Sequence, residues 1–408
     1  MGLILGFLTG LIWIIGVPTR PFSDFLYYHE LAQQIASGGV WGDTYTSVGY
    51  PIFLSIFYRA FGYSLFISKF VNLCLSLIMN LLAFRLLYIL VKVKRLQMAA
   101  WISFVLFPVN IYYNGIIANE ILFTTLLLLC INLYFSKIKY RYFLIGVITG
   151  INSLIKPFFP AFFGVVLLME LLVERKWRSA LKNSGIILGM CILVITPWLF
   201  RNYLMMGEFT YISNNGGIVL YINNNSQNRN GSWMPATEVE NTVVNRPEYI
   251  LANATEKNKM LSQAAKQWII HHPVDFMVLG LKRIGNTYLG LADIKNSFNG
   301  SQLPLWVRTL LGIGVDLIRI PFYWIGFGSI CGFSFYYLTK FQFRSFKQHY
   351  LNREELFLLL VFWMFTGIYF ITEGQARYAF PLNFVIIYFA IKGSSLVRDM
   401  LIQSPKIT

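Results

Sequence analysis

The feature that most constrains this chain is a succession of long apolar runs separated by short basic segments. Crossing about 30 Å of hydrocarbon takes about 20 apolar residues in a helix. In lipid only helices and closed barrels satisfy every backbone polar group. Runs of this kind fall at 1–17, 63–91, 97–113, 118–136, 141–156, 158–173, 182–200, 321–339, 355–372 and 378–396. They predict an all-α polytopic membrane protein with about ten transmembrane helices. The first run, Gly2 to Val17, lacks a basic leader and an obvious small-residue cleavage site, so it reads as a retained span. The segment 305–320 sets Arg308, Asp316 and Arg319 among Leu, Ile and Val, and is expected to be an interfacial amphipathic helix.

Charge supplies the orientation. Of 408 residues only 13% are charged, yet 34 Lys+Arg stand against 18 Asp+Glu, a formal +16. The basic residues lie between apolar runs, which argues against a nucleic-acid partner and for membrane topology. With a cytoplasmic N-terminus, the inner loops hold Lys92, Lys94 and Arg95; Lys137, Lys139 and Arg141; and Arg175, Lys176, Arg178 and Lys182. The later ones hold Lys340, Arg344, Lys347 and Arg353, then Lys392, Arg398 and Lys406. That is 17 basic residues against Glu174, Glu354, Glu355 and Asp399. The positive-inside rule then places both termini in the cytoplasm of a multi-pass cell-membrane protein. On this topology, 1–200 is an N-terminal transmembrane module with an outer loop at 18–62, 201–305 is a non-cytoplasmic loop region, and 306–408 holds the C-terminal helices.

Several chemistries are excluded by missing patterns. Cys74, Cys130, Cys191 and Cys331 lie in apolar segments without a Cys-x-x-Cys pair. The chain has no Walker A sequence, no Gly-rich dinucleotide loop after a strand, and no His-x-x-x-His. A nucleotide-driven pump, a nucleotide-sugar Rossmann transferase and a zinc hydrolase are therefore not expected.

Candidate residues collect at the outer boundary. In the first outer loop Ser23 is placed to cap a helix over 24–37 that Gly38-Gly39 would stop. Asp24 then occupies the first turn, where the helix dipole favours a carboxylate. It can take a proton from a hydroxyl or hold a divalent cation, or serve helix stability alone. Tyr28 and Tyr50 offer a hydrogen-bonding wall for a sugar or phosphate; an interfacial aromatic belt is the alternative. Glu120 is the only acid over 96–169 and stands at the membrane boundary, as a functional carboxylate or a helix cap. Lys156, Arg201, Lys282 and Arg377-Tyr378 recur at the same level, suited to neutralising a lipid-linked phosphate or to snorkelling. Arg377 is the least ordinary, because a positive charge outside opposes the topology rule. Asn-rich punctuation (Asn214-Asn215-Gly216-Gly217, Asn223 to Asn225, Asn228 to Gly231) marks the 201–305 region, with a helix expected near 250–271.

This order of features resembles the GT-C superfamily of membrane glycosyltransferases, bacterial members related to protein mannosyltransferases in particular. The likeness is carried by Ser23-Asp24-Phe25-Leu26-Tyr27-Tyr28, Gly49-Tyr50-Pro51, Asn119-Glu120 and Thr196-Pro197-Trp198-Leu199-Phe200-Arg201-Asn202-Tyr203. Asn214-Asn215-Gly216-Gly217, His272-Pro273 and Arg377-Tyr378 with Pro381 continue it. The resemblance implies a GT-C-like bundle acting on a polyprenyl-phosphate-linked sugar at the non-cytoplasmic face, as a hexosyl- or pentosyltransferase. The acceptor would be a glycan, a lipid or a protein. It implies Asp24 as the catalytic acidic residue, with Glu120 a candidate second carboxylate and the two together a candidate site for a divalent metal ion. Many relatives carry an Asp-Glu pair where this chain has Asp24-Phe25. The competing readings are a flippase for lipid-linked sugars and a polysaccharide polymerase or ligase.

Overall fold

The computed structural model describes residues 2–173, 175–342 and 352–403; the inner-loop charges Glu174, Arg344, Lys347 and Lys406 lie outside the described residues. Among these, every regular element is helical. The first are α1 (Gly2–Gly16), α2 (Asp24–Ala36), α3 (Gly49–Phe61), α4 (Leu65–Leu90) and α5 (Lys94–Val105). Next come α6 (Pro108–Tyr112), α7 (Glu120–Tyr134), α8 (Arg141–Ser153), α9 (Phe162–Val173) and α10 (Trp177–Met206). Shorter helices follow, α11 (Gly216–Asn223), α12 (Pro247–Leu251), α13 (Ala254–His271) and α14 (Pro273–Tyr288). The chain closes with α15 (Leu305–Gln342), α16 (Arg353–Ile371) and α17 (Asn383–Gln403).

The protein is a multi-pass membrane protein, and of the ten expected spans five or six are full-length apolar helices among the described residues. Among the described residues five helices are long and apolar enough to cross a bilayer, and α5 with the segment from Pro108, bent by 42°, counts as a sixth if the pair is one broken span. The bend falls at Pro108, which opens α6 and has no N–H to continue the α5 ladder. Three further apolar helices, including α1 and α7, are shorter, at 10–17 residues. An apolar run thus states what a segment is buried in, and not whether its helix spans the full hydrocarbon thickness.

Close helix contact rests on small residues and buried amides. Gly2, Gly6 and Gly10 form one stripe of α1, and a Cβ on Gly2 or Gly10 would stand 2.5 Å from Trp101 or Leu73. Such stripes let backbones approach where lipid offers no hydrophobic drive to associate. Buried asparagines bridge the helices: Asn72 Nδ2 donates to the Ile116 carbonyl at 2.8 Å, and Asn383 Nδ2 to Asn110 Oδ1 at 2.8 Å. The four cysteines are free thiols.

Two expected elements are corrected. The segment 305–320 is no separate interfacial helix; it is the first half of α15, 38 residues long, which runs on through Pro321. Arg319 is turned inward and fully buried, donating to the carbonyls of Gly290 and Thr287 at the end of α14, with Tyr323 beneath it. Those carbonyls have no helical partner of their own. Ser23 does not cap α2: its backbone lies at φ 48° and its side chain makes no capping bond. A non-glycine residue held there costs about 1–3 kcal/mol, and such strain collects at functional positions.

The 201–305 segment carries a small core of its own, from Tyr221, Ile222, Val239, Val243, Leu261 and Ala265. The expected helix near 250–271 is α13, opened by an Asn253–Glu256 capping box. The Asn-rich punctuation is structural. Arg283, fully buried, donates to the carbonyls of Asn223, Phe370 (2.6 Å) and Ile371 (3.2 Å) and to Asn224 Oδ1 (3.0 Å). It thereby ties the C-termini of α11 and α16, whose last carbonyls lack partners and carry the negative end of the dipole, to α14.

Candidate active site

Several separate stretches bring polar groups to one cavity of about 450 Å³, four of them carrying its charged residues. The first turn of α2 contributes Asp24 and, one turn on, Tyr28. The start of α7 contributes Asn119 and Glu120, the turn after α8 contributes Lys156, and the segment between α16 and α17 contributes Glu373, Gln375, Arg377 and Tyr378. Another wall is apolar, with Ile155, Phe158, Ile218, Val219 and Ile222.

The charges form two pairs. Lys156 Nζ lies 3.5 Å from Glu120 Oε1, with side chains only 13% and 4% exposed. Arg377 Nη1 lies 3.5 Å from Asp24 Oδ2, and the Asp24 side chain is 49% exposed. One pair is therefore deep and the other stands at the mouth. Glu120 Oε2 and Arg377 Nε are buried with no hydrogen-bond partner. An unpartnered buried polar atom costs about 1–3 kcal/mol, and in a cavity a ligand is what relieves it.

Aromatic groups fix the cations. The Tyr378 ring centroid is 5.8 Å from Lys156 Nζ and 5.3 Å from the Arg377 guanidinium, and the ring stacks on Tyr369. Tyr378 donates its hydroxyl to Glu373 Oε2 at 2.6 Å, while Gln375 Nε2 donates to Glu373 Oε1 at 2.5 Å. Tyr28 accepts from Asn119 Nδ2 at 3.2 Å. Burial, then the neighbouring Asp24 and Glu120, raises the Tyr28 phenol above its ordinary value, so it stays a neutral hydroxyl able to donate into the cavity.

Among the described residues no three His, Cys, Asp or Glu side chains are grouped to hold a metal ion. Asp24 and Glu120 each face a cation already.

No family model and no curated protein sequence matches the chain. Solved structures do. The archaeal oligosaccharyltransferase AglB from Archaeoglobus fulgidus, in complex with an inhibitory peptide and a dolichol-phosphate, aligns at TM-score 0.54 and 12% identity, covering 98% of this chain and 50% of AglB. A second structure of the Archaeoglobus fulgidus oligosaccharyltransferase, tethered with an acceptor peptide, gives 0.52 and 14%, with 98% and 49% coverage. The chain shares its fold with these two structures, which are GT-C superfamily glycosyltransferases. This chain spans about half the length of those oligosaccharyltransferase chains. ArnT from Cupriavidus metallidurans bound to undecaprenyl phosphate gives a TM-score of 0.44 at 12% identity, with 99% and 80% coverage.

Within this GT-C fold the predicted residues divide. Asp24, Tyr28, Glu120, Lys156, Arg377 and Tyr378 share the cavity; Tyr50, Arg201 and Lys282 do not line it. Tyr50 stands behind Tyr28, ring to ring at 5.7 Å, and donates to Asn72 Oδ1 at 3.1 Å. Arg201 binds the carbonyls of Trp41, Gly42 and Asp43 and lies over Trp198, so it clamps the first loop to α10. Trp198 Nε1 donates to the Ile212 carbonyl at 3.1 Å and Asn202 Nδ2 to the Tyr211 carbonyl at 2.7 Å. The Pro-Trp to Arg-Asn-Tyr stretch is thus a scaffold. Lys282 reaches a different cavity. Sequence reasoning missed Glu373 as a site residue. The signal was there, an acid at the border of two apolar runs, by the same argument that singled out Glu120.

Proposed function

We propose that the protein is a membrane glycosyltransferase. It moves a sugar from a polyprenyl-phosphate-linked donor to an acceptor hydroxyl at the non-cytoplasmic face, inverting the anomeric carbon. The observation that carries this reading is the half-exposed Asp24 paired with Arg377 at the mouth of a cavity with an apolar wall. The GT-C fold supports it, and so does the dolichol-phosphate in an AglB complex of that fold.

In this reading the donor's isoprenoid end follows the apolar wall and its phosphate meets Arg377 and Lys156. Arg377 Nε, unpartnered, is a donor free for a phosphate oxygen. Glu120 Oε2 accepts a hydroxyl of the transferred sugar. Asp24 takes the acceptor hydroxyl's proton as that oxygen bonds to the anomeric carbon. The bond from the same carbon to the phosphate oxygen breaks, and the polyprenyl phosphate leaves with its electron pair. One displacement inverts the centre. Fixed cations in a water-poor cavity act on the leaving charge more strongly than in water. No step is assigned to a metal ion.

The test uses purified protein in lipid nanodiscs, a panel of polyprenyl-phosphate sugars, and mass spectrometry of released lipid phosphate and glycosylated product. Asp24→Asn removes the base and is expected to cut turnover by about 10²–10⁴-fold while donor binding persists. Undiminished turnover refutes the assignment. Donor translocation without a new glycosidic bond would identify a flippase instead.

A further inference from the structure

A second cavity, of about 910 Å³, has the Gly374–Ala376 segment in its lining, and Gln375 of that segment also lines the first. Of the second cavity's lining residues only Leu291 and Ala376 have apolar side chains, and it is broadly open to solvent. Its volume is within the range of small-molecule sites.

Helix spacing builds one side. Lys282, Gly285 and Asn286 lie at i, i+3 and i+4, on one face of α14, while Arg283 and Thr287 turn inward and are fully buried. A Cβ on Gly285 would meet nothing within 4 Å, so the helix leaves an open floor between two polar side chains. Lys282 Nζ spends one N–H on the Arg229 carbonyl at 2.7 Å, and Asn286 Nδ2 donates to the Asn230 carbonyl at 2.8 Å. Two ammonium N–H groups and the Asn286 amide oxygen remain for a ligand.

The other side holds Asp293, Lys295 and Asn296. Asp293 is locked by the hydroxyls of Tyr112 (2.8 Å) and Tyr113 (3.2 Å). Lys295 is exposed and makes no hydrogen bond or ion pair among the described residues. Two lysines and one aspartate thus line this cavity, whereas the first has Asp24, Glu120 and Glu373 with Lys156 and Arg377. Amides that both donate and accept match the hydroxyls of a sugar, and the lysines match an anionic substituent on it.

We infer that this second cavity holds the acceptor, and that the acceptor is a hydroxyl-rich glycan bearing carboxylate or phosphate groups. The inference rests on the transferase reading for the word acceptor; the ligand class rests on the cavity itself. Gln375, present in both linings and bonded to Glu373, is the point where the two substrates would meet.

Direct binding tests it apart from turnover. The intact protein in zwitterionic nanodiscs is titrated with trigalacturonate, maltotriose and inorganic phosphate, followed by saturation-transfer NMR. Trigalacturonate is expected to bind tightest. Lys282→Ala with Lys295→Ala should weaken it by about tenfold or more, from the loss of bonds to charged groups, and Asn286→Ala should weaken both saccharides. The inference is overturned if trigalacturonate binds the double variant as well as the parent, or if phosphate alone binds as tightly as the saccharide. Thermal unfolding of each variant excludes misfolding as a cause. If saccharide binding behaves as stated and no donor supports transfer, the transferase reading fails and the site stands.

Discussion

Separating the Glu120–Lys156 pair from its chemistry gives a quantitative test of the site's electrostatics. The charged atoms are 3.5 Å apart and both side chains are nearly buried. At an effective dielectric constant of about 20 their attraction is about 5 kcal/mol. Taking each ion out of water costs several kcal/mol, so the intact pair contributes little net stability. Breaking it is another matter. Lys156→Met leaves Glu120 buried without its cation and is expected to destabilise by about 3–5 kcal/mol. Glu120→Gln strands Lys156, with a smaller loss because Gln can still accept from the ammonium. The double variant removes both charges and should recover most of the loss, giving a coupling energy of about 2–3 kcal/mol. Unfolding by detergent titration in mixed micelles, read by tryptophan fluorescence, measures all four proteins, and the transfer assay runs beside it. The double variant should be folded and inactive. Strictly additive losses would refute the reasoning, since they would mean the two charges do not meet.

Two further outcomes follow from the fold. Arg283→Met should cost on the order of 4 kcal/mol or more, because it strands the Asn223, Asn224, Phe370 and Ile371 acceptors together; burial pushes this guanidinium down only to about 10, so it stays charged at neutral pH, and an unchanged unfolding midpoint would remove its role as a clamp. Burial also lowers His29, in α2, below its ordinary 6.5, and its ring nitrogens bond Tyr58 and Gln33. With the folded value depressed, the His29 contribution is full above about 6.5 and is lost as pH falls below it; midpoints measured from pH 8 to pH 5 should fall for the parent and fall less for His29→Gln.

Much of the site was legible because its chemistry is unusual for its setting. Asp24, Glu120 and Arg377 stand out as ions at the edges of apolar runs, where solvation makes them costly, and all three line one cavity. Arg201 and Lys282 passed the same filter and lie elsewhere. A cation's cost of burial is visible in sequence, but its partner is not: Arg201 spends its guanidinium on backbone carbonyls of the first loop, which are invisible as residue types. Ser23 misled for a related reason. A good capping residue predicts a cap only when the backbone is free to choose, and here it lies at φ 48°.

The sequence by itself determined an all-helical, multi-pass membrane protein, because the cost of unpaired backbone in lipid leaves few alternatives for so many apolar runs. It also determined which ions need an explanation. Only the tertiary structure decided how the helices pack, since it is their placement that sets the glycine stripe of α1 against Trp101 and Leu73. Only the tertiary structure brought Asp24 to Arg377 and Glu120 to Lys156, pairs separated by hundreds and tens of residues. Pairing depends on distance in space, which falls off from each charge regardless of the chain between, and no local pattern encodes it.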